Sequence, residues 1–299
     1  MSATLTSFGP WQHAYKLVAG SLEMIIVTEI GPRILSLRID DQPNILYVAE
    51  DAPARDQWNI YGGHRIWLGP ESEAAVAPDN AACQVTLLND GIMVETPIDP
   101  LSKLQKALIV TPTDNAFRVR NIIRNTGTML ATGTVWALTC VRPDAKVFFP
   151  WGRPGNWRMK KICYWTSWCG GKQTSNVQSP QWQPTEELFV IDPTGEVGKV
   201  GTNGHEGWIG AIFPTADTTF YKRFSYQEGA TYADEGCAIQ CYTCKHMIEL
   251  ETLSPFGVIP PGEEVIHEEC WKVRRGLADL TQPDAIRAEL GVSHCSDGQ

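Results

Sequence analysis

Strand-length apolar runs separated by turn sequences recur along most of this chain, and no other feature constrains its fold as strongly. Residues 22–28, 34–39 and 45–48 come first; 84–88, 92–96, 104–111, 116–124 and 133–141 follow. Residues 188–191, 208–213 and 219–224 then lead into a long run over 237–253. The intervals carry Asn89-Asp90-Gly91, Pro112 to Asn115, and Asn125-Thr126-Gly127, which supply the dihedrals and local hydrogen bonds of turns. Many short strands with regularly spaced turns specify an antiparallel sandwich or barrel, whereas βα units would need helical repeats that the middle of the chain lacks. The expectation is an all-β protein, residues 1–299 forming one domain. A short helix is expected near the end, over Pro283–Leu290, with residues 293–299 fraying.

Residues 247–273 sharpen this picture. Extended, 247–253 puts Ile248, Leu250 and Thr252 on one face and Glu249 and Glu251 on the other. Pro260-Pro261-Gly262 then turns the chain, and 265–273 reads as a partner strand. Two carboxylates roughly 7 Å apart on one face need solvent or a partner to offset their charge. A polar face that meets water is the plain explanation; a site is the other. Residues 143–183 differ in texture, with Pro143, Pro150, Gly152, Pro154, Gly155, Gly170 and Gly171 interleaved with Trp151, Trp157, Trp165, Trp168 and Trp182. This composition is expected to form a rim or lid packed by its own side chains.

A formal net charge of −9 argues against a nucleic-acid partner, whose phosphates it would repel. Apolar runs are strand-sized, so no membrane span is expected, and the first residues lack the pattern of a secretory signal. Nine cysteines, an odd number without a framework, favour reduced thiols and a cytoplasmic location.

Residues 62–71, Gly-Gly-His-Arg-Ile-Trp-Leu-Gly-Pro-Glu, concentrate groups able to do chemistry. His64 exchanges protons near neutrality, Arg65 offers a fork of donors, Trp67 a stacking face and Glu71 an acceptor. In an extended chain His64 and Arg65 point to opposite faces, so both reach one ligand only near a bulge or strand end. A satisfied core histidine beside a paired arginine is the competing reading. His205 and Trp208, in Gly204-His-Glu-Gly-Trp208, form a second polar and aromatic knot. Lys222 could face a ligand or solvent. Cys237, Cys241 and Cys244 have the spacing of a radical-type iron–sulfur motif, but strand geometry would spread them apart. A zinc site from Cys241, Cys244 and His246 lacks a second ligand pair. Neither metal nor cofactor is expected, and phosphate-cradling, dinucleotide and nucleophile-elbow motifs are missing.

The chain resembles the galactose mutarotase-like superfamily, and within it the aldose 1-epimerase-like proteins, over most of residues 15–275. The resemblance lies in 29–37 (Glu-Ile-Gly-Pro-Arg-Ile-Leu-Ser-Leu), in 62–67, in 122–127 followed by Trp136, in 222–224 with 229–232, and in 249–255 with 261–263. It implies a large antiparallel β-supersandwich with a sugar site on a concave sheet. It also implies cofactor-independent acid/base chemistry, in which a glutamate takes the anomeric hydroxyl proton and a histidine protonates the ring oxygen. Glu251 stands where the base is expected. The usual acid motif is missing from the middle of the chain, which leaves His64 as first candidate and His205 as second.

The resulting expectation is a carbohydrate-active isomerase of the aldose 1-epimerase type, with a sugar or sugar-like ring as its small-molecule substrate. Arg65, Glu71, Lys222 and Glu249 would bind the substrate, and Trp67 or Trp208 would stack on it. A lyase, isomerase or cyclase acting on another cyclic molecule, and a non-catalytic carbohydrate-binding protein, are the alternatives. All the catalytic readings require Glu251 and an imidazole to face one small molecule. A carboxylate sealed against an interior cation would speak for a structural ion pair instead.

Overall fold

The computed structural model describes residues 3–49, 59–72, 79–151, 160–168 and 173–292. Two large antiparallel sheets stack face to face. The first has, in spatial order, β1 (Thr4–Phe8), β2 (Trp11–Ala19), β3 (Leu22–Val27), β4 (Arg33–Ile39), β5 (Gly63–Gly69), β10 (Ala131–Val141), β19 (Ile248–Leu253), β18 (Ile239–Thr243), β15 (Gly198–Thr202) and β12 (Cys163–Tyr164). A short strand, β20 (Gly257–Ile259), also pairs with β10. The second runs β13 (Trp182–Pro184), β14 (Leu188–Ile191), β11 (Lys146–Pro150), β16 (Trp208–Phe213), β17 (Thr218–Phe224), β21 (Glu264–Arg275), β9 (Ala116–Asn125), β8 (Leu104–Pro112), β7 (Gly91–Glu95) and β6 (Gln84–Leu88).

Most expected strands are present, and the terminal helix Pro283–Leu290 is as expected. Its Ile286 and Leu290 pack on Phe148, Trp208 and Tyr221 on the outer face of the second sheet. Three expectations need correction. Residues 45–48 make only isolated bridges, from Leu46 to Val141 and from Val48 to Gly62. The run 237–253 is two strands, broken by a turn in which Cys244 N donates to Met247 O. The strand 264–275 does not pair with 248–253; it crosses to the other sheet and lies between β17 and β9. The alternation along β19 is as read: Ile248 and Leu250 enter the core between the sheets, and Glu249 and Glu251 take the opposite face.

The segment expected as a rim begins as β11 in the second sheet and later supplies β12 at the edge of the first. Trp151 packs edge-on against Phe189, and Trp182 joins the main core. Trp157, Gly152, Pro154, Gly155, Gly170 and Gly171, like the tail 293–299, lie outside the described residues. Among the described residues no helix is long and apolar enough to cross a membrane.

Gly63 is where backbone chemistry admits β5 to the sheet. It has φ +61°, and a Cβ there would lie 2.0 Å from Ile34 O. Backbone oxygen cannot swing away as a side chain can. Gly63→Ala is expected to cost at least about 2 kcal/mol in urea unfolding, and a change within about 0.5 kcal/mol would refute this close contact.

Candidate active site

Strand register assembles the site. Arg65, Leu138, Glu251, Gln240, Gly201 and Cys163 are successive partners across β5, β10, β19, β18, β15 and β12. Residues opposite one another in antiparallel strands share a face, so this is one row on the outer face of the first sheet. Two residues along lies a second row: Gly63, Cys140, Glu249, Tyr242 and Lys199, with Trp165 N donating to Lys199 O at its end. Trp67, Trp136 and Leu253 form a third row on the other side.

The plain reading of β19, a polar face meeting water, is not what is found. Glu251 is 0% and Glu249 8% exposed. Glu251 Oε2 accepts from Trp136 Nε1 at 2.7 Å and from Lys199 Nζ at 3.3 Å. The Lys199 ammonium lies over the rings of Trp136 (4.5 Å) and Trp165 (5.3 Å), a cation–π arrangement. Glu249 Oε1 accepts from the Cys140 thiol at 3.5 Å. Beside them the Arg65 guanidinium stacks on Trp67, 3.6 Å from the ring centre. Arg33 donates to Asp79 and Asn80, both at 2.9 Å, and the second oxygen of Asp79 takes Lys106 at 3.0 Å.

Burial pushes the Glu251 carboxyl up to about 7; Glu249 adds to the shift and Lys199 opposes it. Burial also raises Glu249, against the pull of Arg65 and Lys199. For Lys199, burial works against the charge, but Glu251, Glu71, Glu249 and Asp234 outweigh it and hold the pKa above its ordinary value. The two acids thus compete for one cation in a desolvated place, which brings a carboxyl into the range useful for proton transfer near neutrality.

Glu251 Oε1, Gln240 Oε1 and Trp67 Nε1 are buried on this face without a hydrogen-bond partner among the described residues. Gln240 spends its other end on Asp234 Oδ2, at 2.7 Å. Asp234 itself is held in the left-handed region, φ 53° and ψ 59°, an uncommon place for a residue other than glycine.

His64 is not part of this face. It sits between the two sheets, 0% exposed, with Nε2 2.7 Å from Asn121 Oδ1 and Nδ1 2.9 Å from Thr139 Oγ1. Asn121 donates through Nδ2 to His267 O and Glu269, so its oxygen must accept, and His64 carries its proton on Nε2. Burial lowers the His64 pKa to about 4, so the ring is neutral at ordinary pH. The sheet itself therefore separates the expected acid from Glu251, because neighbouring residues on β5 face opposite ways.

Lys222 is also interlayer: its ammonium donates to Ala137 O (3.2 Å) and Leu250 O (3.1 Å) and pairs with Glu269 at 2.9 Å. Trp208 is buried beneath the terminal helix, with Nε1 on Glu206 at 3.0 Å. Neither reaches the Glu251 face. His205 lies in the loop after β15, hydrogen-bonded to Asn203 and edge-on to Tyr226 with ring centres 4.9 Å apart. Arg65, Trp67 and Glu249 are on the face, and Glu71 is near enough to act on Lys199. Lys199, Gln240 and Trp136 are additional members that were not singled out as site residues.

A cavity of about 230 Å³ lies close by, lined by Leu68, Asp79, Ile98, Leu104, Lys106 and Ile123 among others. Asp79 connects it to Arg33, but its walls are mostly apolar and Glu251 is not among them. The titratable groups that act on one another, Glu251, Glu249 and Lys199, converge on the sheet face rather than in this cavity.

Glu251 gives a linkage test. Its folded pKa is above the unfolded value of 4.5, so the stability it contributes is fully present below 4.5 and lost as pH rises through about 7. His64 and His267, both lowered to about 4 by burial, act oppositely: their contribution is present above 6.5 and lost as pH falls towards 4. Glu251→Gln should therefore gain more stability than the wild type between about pH 5 and about pH 7 in urea unfolding. Equal gains would contradict the raised carboxyl.

Two stacked antiparallel sheets with a polar, tryptophan-walled face on one of them define a β-supersandwich of the galactose mutarotase-like fold. Solved structures bear this out. A galactose mutarotase-like protein from Lactobacillus casei ATCC 334 superposes with a TM-score of 0.61 at 11% identity, covering 87% of this chain and 100% of that one. A galactose mutarotase-like protein from Clostridium acetobutylicum gives a TM-score of 0.57 at 12% identity, covering 92% and 99%. A TPR-domain containing protein from Parabacteroides distasonis ATCC 8503 gives 0.61 at 15%, covering 90% of this chain and 48% of that longer one. No protein-family model and no curated protein sequence matches the chain. At such identities the likeness speaks for the fold alone.

Proposed function

We propose that the Glu251 face is the site of a carbohydrate-active enzyme of the aldose 1-epimerase type, acting by proton transfer on a cyclic hydroxylated small molecule. The observation that carries this reading is the free oxygen of Glu251. A structural ion pair sealed in an interior is stabilised when both carboxylate oxygens are satisfied. Here Oε2 is anchored by Trp136 and Lys199, while Oε1 has no partner among the described residues, and the cross-strand neighbour Gln240 has a similarly unpartnered Oε1. One end fixed and one buried end left without a partner is an arrangement a general base can use once a substrate hydroxyl reaches it.

The carboxylate–imidazole pair expected from the sequence is not formed, since His64 lies between the sheets, so the acid in this reading is a second carboxyl. Glu251, whose anchored oxygen meets a cation and an indole N–H that favour its ionised form, takes the proton from the anomeric hydroxyl. Glu249, raised by burial against the pull of Arg65, Lys199 and the donating Cys140 thiol, is the protonated partner that supplies the ring oxygen. The ring opens, the carbonyl end rotates, and reclosure returns both protons. Two carboxyls driven apart in protonation state by shared burial are a recurring way to hold an acid and a base together. Trp67 offers its indole N–H, and Arg65 and Lys199 fix hydroxyls.

The full burial of Glu251 against Lys199 speaks for a structural ion pair, and with His64 off this face a second reading is a carbohydrate-binding protein without turnover. Polarimetry on freshly dissolved α-D-galactose and α-D-glucose separates the two. Faster equilibration than in buffer, abolished in Glu249→Gln, supports the enzyme. Saturable binding with an unchanged rate supports the binder, and neither would remove both.

A further inference from the structure

The row that carries Glu251 and Gln240 ends at Gly201 and Cys163, and this end holds chemistry that proton transfer does not use. Cys163 is the direct partner of Gly201, so both face the same way as Glu251. Gly201 has no side chain, and the space is taken: a Cβ there would lie 3.0 Å from Cys237 Sγ and 3.0 Å from the Trp165 ring. Cys237 Sγ therefore rests on the bare backbone of β15, immediately beside the strand that bears Cys163. Gly201 thus brings the two cysteines together, Cys163 as its neighbour on β12 and Cys237 with its sulfur over the Gly201 backbone. They are distant in sequence, Cys163 from the tryptophan-rich segment and Cys237 from the turn that carries Asp234.

We infer that Cys163 and Cys237 form a reversible, oxidant-sensitive thiol pair that closes to a disulfide at the edge of the Glu251 face.

Asymmetry between the partners sets the order of events. Cys163 is half-buried and Cys237 fully buried, so a hydroperoxide reaches Cys163 first. Burial, together with the neighbouring Cys163, holds the Cys237 thiol well above its ordinary pKa, so it stays a thiol while Cys163 meets the oxidant. In the first step the Cys163 sulfur attacks the peroxide O–O bond, giving a sulfenic acid and one water. In the second, the Cys237 sulfur displaces the sulfenic hydroxyl, which leaves with the Cys237 proton as a second water. Two thiols and one hydrogen peroxide thus give one disulfide and two waters, and a dithiol reductant reverses it by exchange.

Closure would tie the chain around Trp165 to the turn 232–237. Trp165 lies over the Lys199 ammonium, and Asp234 holds Gln240, so the link joins two elements that both contact the site. It does not depend on what the site turns over.

The test uses the intact chain treated with a small excess of hydrogen peroxide, then alkylation, digestion and mass spectrometry. The expected result is a peptide pair joined through Cys163 and Cys237, loss of two free thiols, and full recovery with dithiothreitol. In Cys237→Ala the sulfenic acid at Cys163 should persist and be trapped by dimedone. In Cys163→Ser, a milder change at a half-buried position, Cys237 should stay reduced at the same dose. The inference is overturned if Cys163 stays a thiol at doses that oxidise the half-buried Cys83 and Cys244. It is equally overturned if Cys163 over-oxidises with Cys237 still free, or links instead to Cys169.

Discussion

Glu251→Gln is expected to reduce enzyme-dependent anomer equilibration at least about 100-fold, the scale of losing a positioned general base, while the protein stays folded. The amide keeps the shape of the side chain and can still meet Trp136 or Lys199 through its oxygen, but it cannot take a proton. The variant also removes a buried acid whose folded pKa is raised, so its melting temperature should not fall by much and should rise at alkaline pH relative to the wild type. Circular dichroism and thermal melts run beside polarimetry check both halves. A folded variant with unchanged turnover would take Glu251 out of the mechanism.

Lys222→Met should produce the largest loss of stability, about 3–5 kcal/mol, because it strands a buried carboxylate without its cation. Glu269 lies at the centre of the interlayer network. It accepts from Thr252, Trp271 and Asn121 as well as pairing with Lys222. Burial would raise the Glu269 carboxyl, but Lys222 and the facing histidines hold it down to about 2. The ammonium also ties Ala137 O and Leu250 O of the first sheet to the second. Adding Glu269→Leu to Lys222→Met should restore part of the loss, since two apolar groups replace a pair that had to be desolvated. Urea unfolding of the single and double variants measures this. A double variant less stable than the single one would show that the network's hydrogen bonds, rather than the stranded charge, dominate.

These outcomes bear on different parts of what was legible in the sequence. The alternation in 248–253 was readable because side chains in a strand change face at every residue. The same rule already separated His64 from Arg65, and the structure keeps them on opposite faces of β5. A resemblance in motif order supported the fold, but it could not carry His64 across the sheet. Lys199 left a faint trace, a lone cation in the otherwise small and apolar strand Gly198–Thr202. Trp136 and Gln240 left less, since tryptophan and glutamine inside a strand have many uses. The pairing of 265–273 was misread because a turn of the Pro-Pro-Gly kind suggests a hairpin, while here the chain passes to the facing sheet and pairs with strands far away in sequence.

The sequence by itself determined the all-β class, the strand alternation and which side chains of each strand travel together, since these depend on local geometry and turn chemistry. Only the tertiary structure decided which strands lie side by side. That is a matter of non-local hydrogen bonding and of burying two sheet faces against each other. From it alone come the row from Arg65 to Cys163, the enclosure of Glu251 against Lys199, and the removal of His64 to the space between the sheets.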